Sequence, residues 1–183
     1  MTLDALSPTA ALIVVDVQAG TLPNARAVAA DDLVPRVAAL VDAFHASSRP
    51  VVFVASTGTP AGRTEYGDGA RIWPDGFAEL DARLDRRDGD PLVERAGWSA
   101  FAGSDLATLL ADRDAHEVVL VGIATTYGVE STARDAYDRD LDVIVVADAV
   151  SDPDPAGHER TLTRVVPALG RVATSDELLA ALG

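Results

Sequence analysis

The sequence predicts an α/β fold, a parallel sheet covered by helices on both faces, from three observations. Apolar runs of strand length recur along the chain, each bounded by polar or turn residues. Between them lie segments whose apolar residues repeat at helical spacing. Strands alternating with single helices imply right-handed crossovers, and hence parallel neighbours in a three-layer α/β/α sandwich. At 183 residues, 48% hydrophobic and 24% charged, the chain has the content of one domain over residues 1–183. No internal repeat or low-complexity linker divides it.

Taken in order, residues 10–17 (AALIVVDV) are an apolar run broken only by Asp16, the pattern of a strand buried on both faces. Residues 31–46 place Leu33, Val37, Leu40, Val41 and Phe44 at helical spacing behind Asp31 and Asp32, whose charge suits the positive end of the helix dipole. Residues 51–55 (VVFVA) are the second strand, and a turn-rich excursion follows through residue 91. Residues 92–95 are a short third strand, Ser104 is placed to cap a helix through Asp112, and residues 117–123 (EVVLVGI) are the fourth strand. Residues 129–139 read as a helix, 142–147 (DVIVVA) as a strand and 158–169 as a helix. A short edge strand at 172–173 and a terminal helix at 175–182 complete the order.

Composition narrows the chemistry. Fifteen basic against 29 acidic residues leave a net charge of −14, with a pI near 4.4, so nucleic acid and anionic membranes are not expected partners. No apolar run approaches the roughly 18 residues of a membrane span, and residues 1–8 lack the basic start and apolar core of a leader. A cytoplasmic location is the expectation. Cysteine is absent, which excludes disulfides, thiolate nucleophiles and thiolate metal sites. All 15 basic residues are Arg, so neither a Schiff-base lysine nor a phosphate-loop lysine exists. His45, His116 and His158 lie in separate segments without metal-ligand spacing, and each reads as solvated surface. No metal and no cofactor are expected. Carboxylates, hydroxyls, Arg, single His residues and backbone amides remain for catalysis.

In open parallel sheets, ligands bind beyond the carboxyl ends of the strands, where the strand order reverses. Three places qualify: residues 16–18, the segment around Arg95, and residues 124–128. The turn after the first strand has no GxGxxG pattern, which removes the main support for a nicotinamide cofactor.

At these strand ends the chain resembles the isochorismatase-like hydrolase superfamily, which also holds nicotinamidases and carbamoylsarcosine amidases. ALIVVDVQAG resembles the strand with the catalytic aspartate, and VERAGWSAFAGSDLATLL the segment with the catalytic lysine. VGIATTYGVESTARDAYDRDLDVIVVADA resembles the loop, helix and strand that normally carry the nucleophilic cysteine. Position by position, the aspartate falls on Asp16, the lysine on Arg95 and the cysteine on Gly128. The GVESTAR run is most similar to a branch with Gly at the cysteine position. Glycine cannot attack a carbonyl, so covalent amidase chemistry is excluded. The histidines that bind zinc in family amidases have no counterpart in residues 56–71.

The resemblance implies a six-stranded sheet in the order 3-2-1-4-5-6, a cis peptide at Ile123–Ala124 and a homodimer or homotetramer. It also implies a cofactor-free hydrolase, in which Asp16 acts by general acid–base catalysis on a small anionic metabolite. Arg95 and helix N–H groups would bind the negative charge. Asp16 can give a proton only if protonated, which burial favours and Arg95 opposes. Asp16–Arg95 could equally be a locked ion pair in a catalytically silent member that binds a metabolite or a partner. Gln18, Trp98, Phe101, Ala124, Thr125, Gly128 and Glu130 are the expected substrate-binding positions, with Thr126 a further hydrogen bonder. Glu130 is the runner-up acid, although its place suits a helix-dipole partner. Trp73 reads as a lid residue or a subunit contact.

Overall fold

The structure is a computed structural model that describes residues 6–182; residues 1–5, part of the segment read for a leader, and residue 183 lie outside the described residues. Six parallel strands form one sheet: β1 (Ala11–Val15), β2 (Val51–Ser56), β3 (Leu92–Arg95), β4 (Glu117–Ile123), β5 (Asp142–Ser151) and β6 (Arg171–Ala173). Their order is 3-2-1-4-5-6, as the resemblance implies. The chain builds outward from β1 to β3 and then returns to place β4 on the other side of β1. The carboxyl ends of β1 and β4 therefore flank the switch point where such sheets bind ligands.

Both faces of the sheet are covered, which is why β1 needs an uninterrupted apolar run. Leu12 and Val14 of β1 pack in the core with α1 (Ala30–Ala46) and α6 (Ser175–Leu182). Ala11, Ile13 and Val15 point the other way. They pack with α2 (Leu106–Ala111), α3 (Glu130–Tyr137), α5 (Val166–Leu169), Leu162 in the segment that joins α4 (Pro155–Arg160) to α5, and their neighbours. The buried face of α1 is the expected set of Leu33, Val37, Leu40, Val41 and Phe44, joined by Val34. Among the described residues no helix is long and apolar enough to cross a membrane.

Four local readings are corrected. The fifth strand runs on to Ser151, because the β4–β5 ladder slips: Leu120 and Gly122 pair with Val145 and Val150. Asp148 inside this stretch hides the continuation. Its carboxylate accepts from the Ser175 N–H and hydroxyl, which fixes the start of α6. Ser104 does not cap α2; its hydroxyl accepts from Leu106 N and donates to Ala100 O, bracing the loop ahead of the helix. The helix expected from residue 158 starts at Pro155, with Asp154 accepting from Ala156 N–H at 3.0 Å. His45 is buried rather than solvated and meets Asp90 at 3.0 Å, tying α1 to the excursion, whereas His116 is exposed as expected.

Gly122 decides how closely β1 and β4 approach. Its φ is +117°, and a Cβ there would lie 2.0 Å from the Val15 carbonyl oxygen. Glycine alone tolerates both conditions.

Candidate active site

Asp16 follows the last residue of β1 and takes a left-handed backbone, φ +51°, a region short polar residues tolerate best. Its carbonyl accepts from the Gln18 N–H at 2.9 Å and from the Thr21 hydroxyl, so a tight turn holds that conformation. The carboxyl is thereby directed across the end of β2 toward Arg95, the last residue of β3. Arg95 Nη2 donates to Asp16 Oδ2 at 2.7 Å, with only 2% and 9% of the two side chains exposed. Asp16 Oδ1 and Arg95 Nε are buried without partners among the described residues.

Burial and Arg95 pull the Asp16 carboxyl in opposite directions, and burial wins. Loss of hydration raises its pKa from 3.8 to about 6, against the lowering effect of the Arg95 charge and hydrogen bond. At neutral pH roughly a tenth of the carboxyl then carries its proton.

Gly128 completes the convergence. It lies in the wide π turn Thr125–Val129 that leads from β4 into α3, a backbone form that often marks functional sites. A Cβ at Gly128 would stand 3.3 Å from both Asp16 Oδ2 and Arg95 Nη2, and 3.0 Å from a Val15 methyl. The position that resembles the nucleophile site thus faces the ion pair directly. The Ile123–Ala124 peptide ahead of this turn is cis.

A cleft of about 380 Å³ opens over these groups. Asp16, Arg95, Trp98, Ala124 and Gly128 are among the residues that line it. Trp73 does so too, its indole N–H donating to the Ser56 hydroxyl at 2.9 Å and its ring stacked on Phe77. Trp98 meets Tyr127 edge-on with ring centroids 4.9 Å apart.

Other expected binders have different work. Gln18 is fully buried; its amide donates to Ser56 O and Phe77 O and accepts from Ser56 N–H, clamping β2 and the excursion onto the β1 turn. Phe101 is buried in the core under the Arg139 guanidinium. Thr125 donates to Ser151 O and hydrogen-bonds His158 Nδ1, and is fully buried. Glu130 accepts from Arg134 and from the Thr161 hydroxyl, which makes it an internal anchor of α3. Arg95, expected to receive a substrate's negative charge, has its own charge engaged by Asp16.

Two residues that sequence reasoning missed hold the turn. Asp152 Oδ2 accepts from the Thr126 N–H and hydroxyl, both at 2.7 Å, and its Oδ1 from Asp154 N–H at 2.9 Å. The Asp-Pro pairs at 152–155 are turn signals that could have drawn attention there. His158 is half-buried against Thr125 rather than solvated, and desolvation lowers its pKa. Among the described residues no three His, Asp or Glu side chains converge as metal ligands.

The sequence pattern described as the Isochorismatase domain matches residues 10–177. The chain belongs to the isochorismatase family. It is 34% identical over 182 residues to the uncharacterized isochorismatase family protein YecD of Escherichia coli O157:H7, covering 95% of this chain and 96% of that protein. It is also 34% identical to the uncharacterized family protein YwoC of Bacillus subtilis strain 168, with 92% of each chain covered. The solved structure of an isochorismatase family protein from Burkholderia thailandensis superposes with a TM-score of 0.93 at 34% identity, over 99% of both chains. The strand order is therefore that of an isochorismatase-family hydrolase fold.

Proposed function

We propose that this isochorismatase-family chain is a cofactor-free hydrolase of a small metabolite, belonging to a branch with Gly128 at the nucleophile position. Its working group is the Asp16 carboxyl. One observation carries the reading: a buried carboxyl, raised to about 6 and pinned by Arg95, lies at the switch-point cleft beside a residue with no side chain. A carboxyl of this kind is divided between acid and base near neutral pH, which suits proton transfer in both directions.

In the acid step on a vinyl ether, the Asp16 O–H donates its proton to the terminal vinyl carbon, and the carboxylate that forms is stabilised by Arg95. Water adds to the oxocarbenium carbon and returns a proton to the carboxylate, and the hemiketal then collapses, its C–O bond breaking to leave a carbonyl product and an alcohol. Arg95 positions the carboxyl throughout, because its guanidinium stays charged. The bond cleaved is one that protonation makes labile, such as a vinyl ether.

A second reading, a binding member without turnover, is favoured by the directness of the ion pair beneath Gly128. Asp16→Asn separates the two. The variant keeps size and removes the transferable proton, so turnover across a panel of vinyl ethers and small amides should fall at least about a hundredfold. Undiminished turnover sinks the mechanism, and absence of turnover on every substrate by the native chain favours the binding member. We further propose a homodimer or homotetramer in the cytoplasm. The exposed apolar side chains of Tyr66 and Ile72 on the excursion support a subunit contact.

A further inference from the structure

The first half of the excursion folds back on itself as an arm. Its sequence at 57–73, TGTPAGRTEYGDGARIW, is dense in turn residues. Thr59 N–H donates to Arg71 O at 2.8 Å and Ala70 N–H to Pro60 O at 2.7 Å, while Thr64 and Gly67 exchange bonds of 3.0 Å at the tip. Between the arm and a wall of Trp98, Ser99 and Ser131 lies a second cavity, of about 450 Å³. It adjoins the cleft at Thr59 and Trp98, but neither Asp16 nor Arg95 lines it. Its surface is mostly apolar, with Arg71 set into it. Arg71 Nε donates to Asp68 O at 3.2 Å and Nη2 to Tyr66 O at 2.8 Å, which fixes the guanidinium under the tip. A Cβ on Gly67 would stand 3.0 Å from Nη2. Those two carbonyls occupy part of the five-donor guanidinium and neutralise none of its charge. Among the described residues no carboxylate pairs with Arg71, because Asp68 is paired with Arg63 at 3.1 Å. Arg63 and Asp68 cancel, and the cavity keeps one net positive charge on an otherwise acidic chain.

We infer that the arm cavity is a binding site, separate from the Asp16 cleft, for an amphipathic monoanion: an apolar body lying along Trp98, with one carboxylate or other oxyanion head on Arg71. The remaining Arg71 N–H groups take such a head in charge-assisted pairs that a neutral head cannot match. The apolar body covers wall that a bare anion leaves in contact with water, so the ligand needs both parts. A mostly apolar cavity of this volume with a single placed charge has the make-up of a small-molecule site. The inference stands apart from the reaction read at Asp16.

Trp98, one of the chain's two tryptophans, lines the cavity, so intrinsic fluorescence reports occupancy. The test titrates the full chain at pH 8 with 4-phenylbutyrate, 4-phenylbutanol and acetate, at physiological salt, where long-range repulsion by the acidic surface is screened. The phenylbutyrate Kd is expected at least about tenfold below those of the alcohol and of acetate. Arg71→Gln, at an exposed position, should raise it to the level of the alcohol. Asp68→Asn uncovers the Arg63 charge and should tighten phenylbutyrate about twofold or more, a gain that misfolding could not produce. Asp16→Asn, which releases Arg95 in the cleft, should leave the Kd within about twofold. Equal affinity for the acid and the alcohol overturns the inference, as does the lack of any response at millimolar concentration. Acetate binding as tightly as phenylbutyrate would mean an adventitious ion only, and overturns it too. Phenylbutyrate binding that Arg71→Gln spares and Asp16→Asn tightens would assign the anion to Arg95, and would equally overturn it. Turnover assays on the cleft fail or succeed separately from each of these results.

Discussion

Asp16 is set by two opposed forces, of which burial is the larger. Removal from water disfavours the carboxylate, Arg95 favours it, and the balance at about 6 leaves the group more weakly acidic than its ordinary 3.8. The sign of the linkage follows. Between those two values the folded chain holds a proton that the unfolded chain has released, so stability from this group is complete below pH 3.8. It is lost as pH rises through 6, a cost of about 3 kcal/mol at higher pH. If the protonated carboxyl is the reactive form, turnover should fall tenfold per pH unit above about 6. Arg95→Gln removes the opposing cation and should move that limb of the pH–rate profile up by about one pH unit. A limb that stays in place or moves down would show that Arg95 does not act on Asp16. These residues were legible in the sequence because strand ends in a parallel sheet are where chemistry is placed, and Asp16, Arg95 and Gly128 each stand at one. Gln18, Thr125 and Glu130 stand there too. Their hydrogen-bond partners, Ser56, Ser151 and Thr161, come from distant segments, so spacing alone could not separate a scaffold role from a ligand-facing one.

At the scale of elements, the site depends on how β1, β4 and the turn after β4 are seated together. Gly122 lets the β4 backbone pass the Val15 carbonyl, and Asp152 holds the turn at Thr126. Gly122→Ala would combine a forbidden backbone conformation with a Cβ 2.0 Å from backbone oxygen. Stability should drop by about 3 kcal/mol or more in denaturant titration. A loss under about 1 kcal/mol would mean the strands part without cost. The main elements could be read from apolar period, since the core faces are long and regular. The π turn Thr125–Val129 and the slip in β5 could not. The π turn is held where the Asp152 carboxylate, from a distant segment, takes the Thr126 N–H, which no local pattern records; the start of α4 follows instead from the local Asp154–Pro155 cap.

The whole molecule joins a highly acidic surface to a neutralised site. Association between copies at −14 each is opposed by charge at low salt. Light scattering at micromolar concentration should find a dimer or tetramer whose population grows with ionic strength. A monomer throughout would remove the assembly. The sheet, covered on both faces, supplies the low-dielectric setting at the end of β1 that an isolated Asp-Arg pair would lack, and the raised Asp16 pKa is a property of the entire fold. The most direct test is a carbon-13 NMR titration of the side-chain carboxyl signals, with the Asp16 resonance assigned by its loss in Asp16→Asn. A midpoint near pH 6 is predicted; a carboxyl still ionised at pH 4 would mean that Arg95 outweighs burial, and would contradict Asp16 as the proton donor.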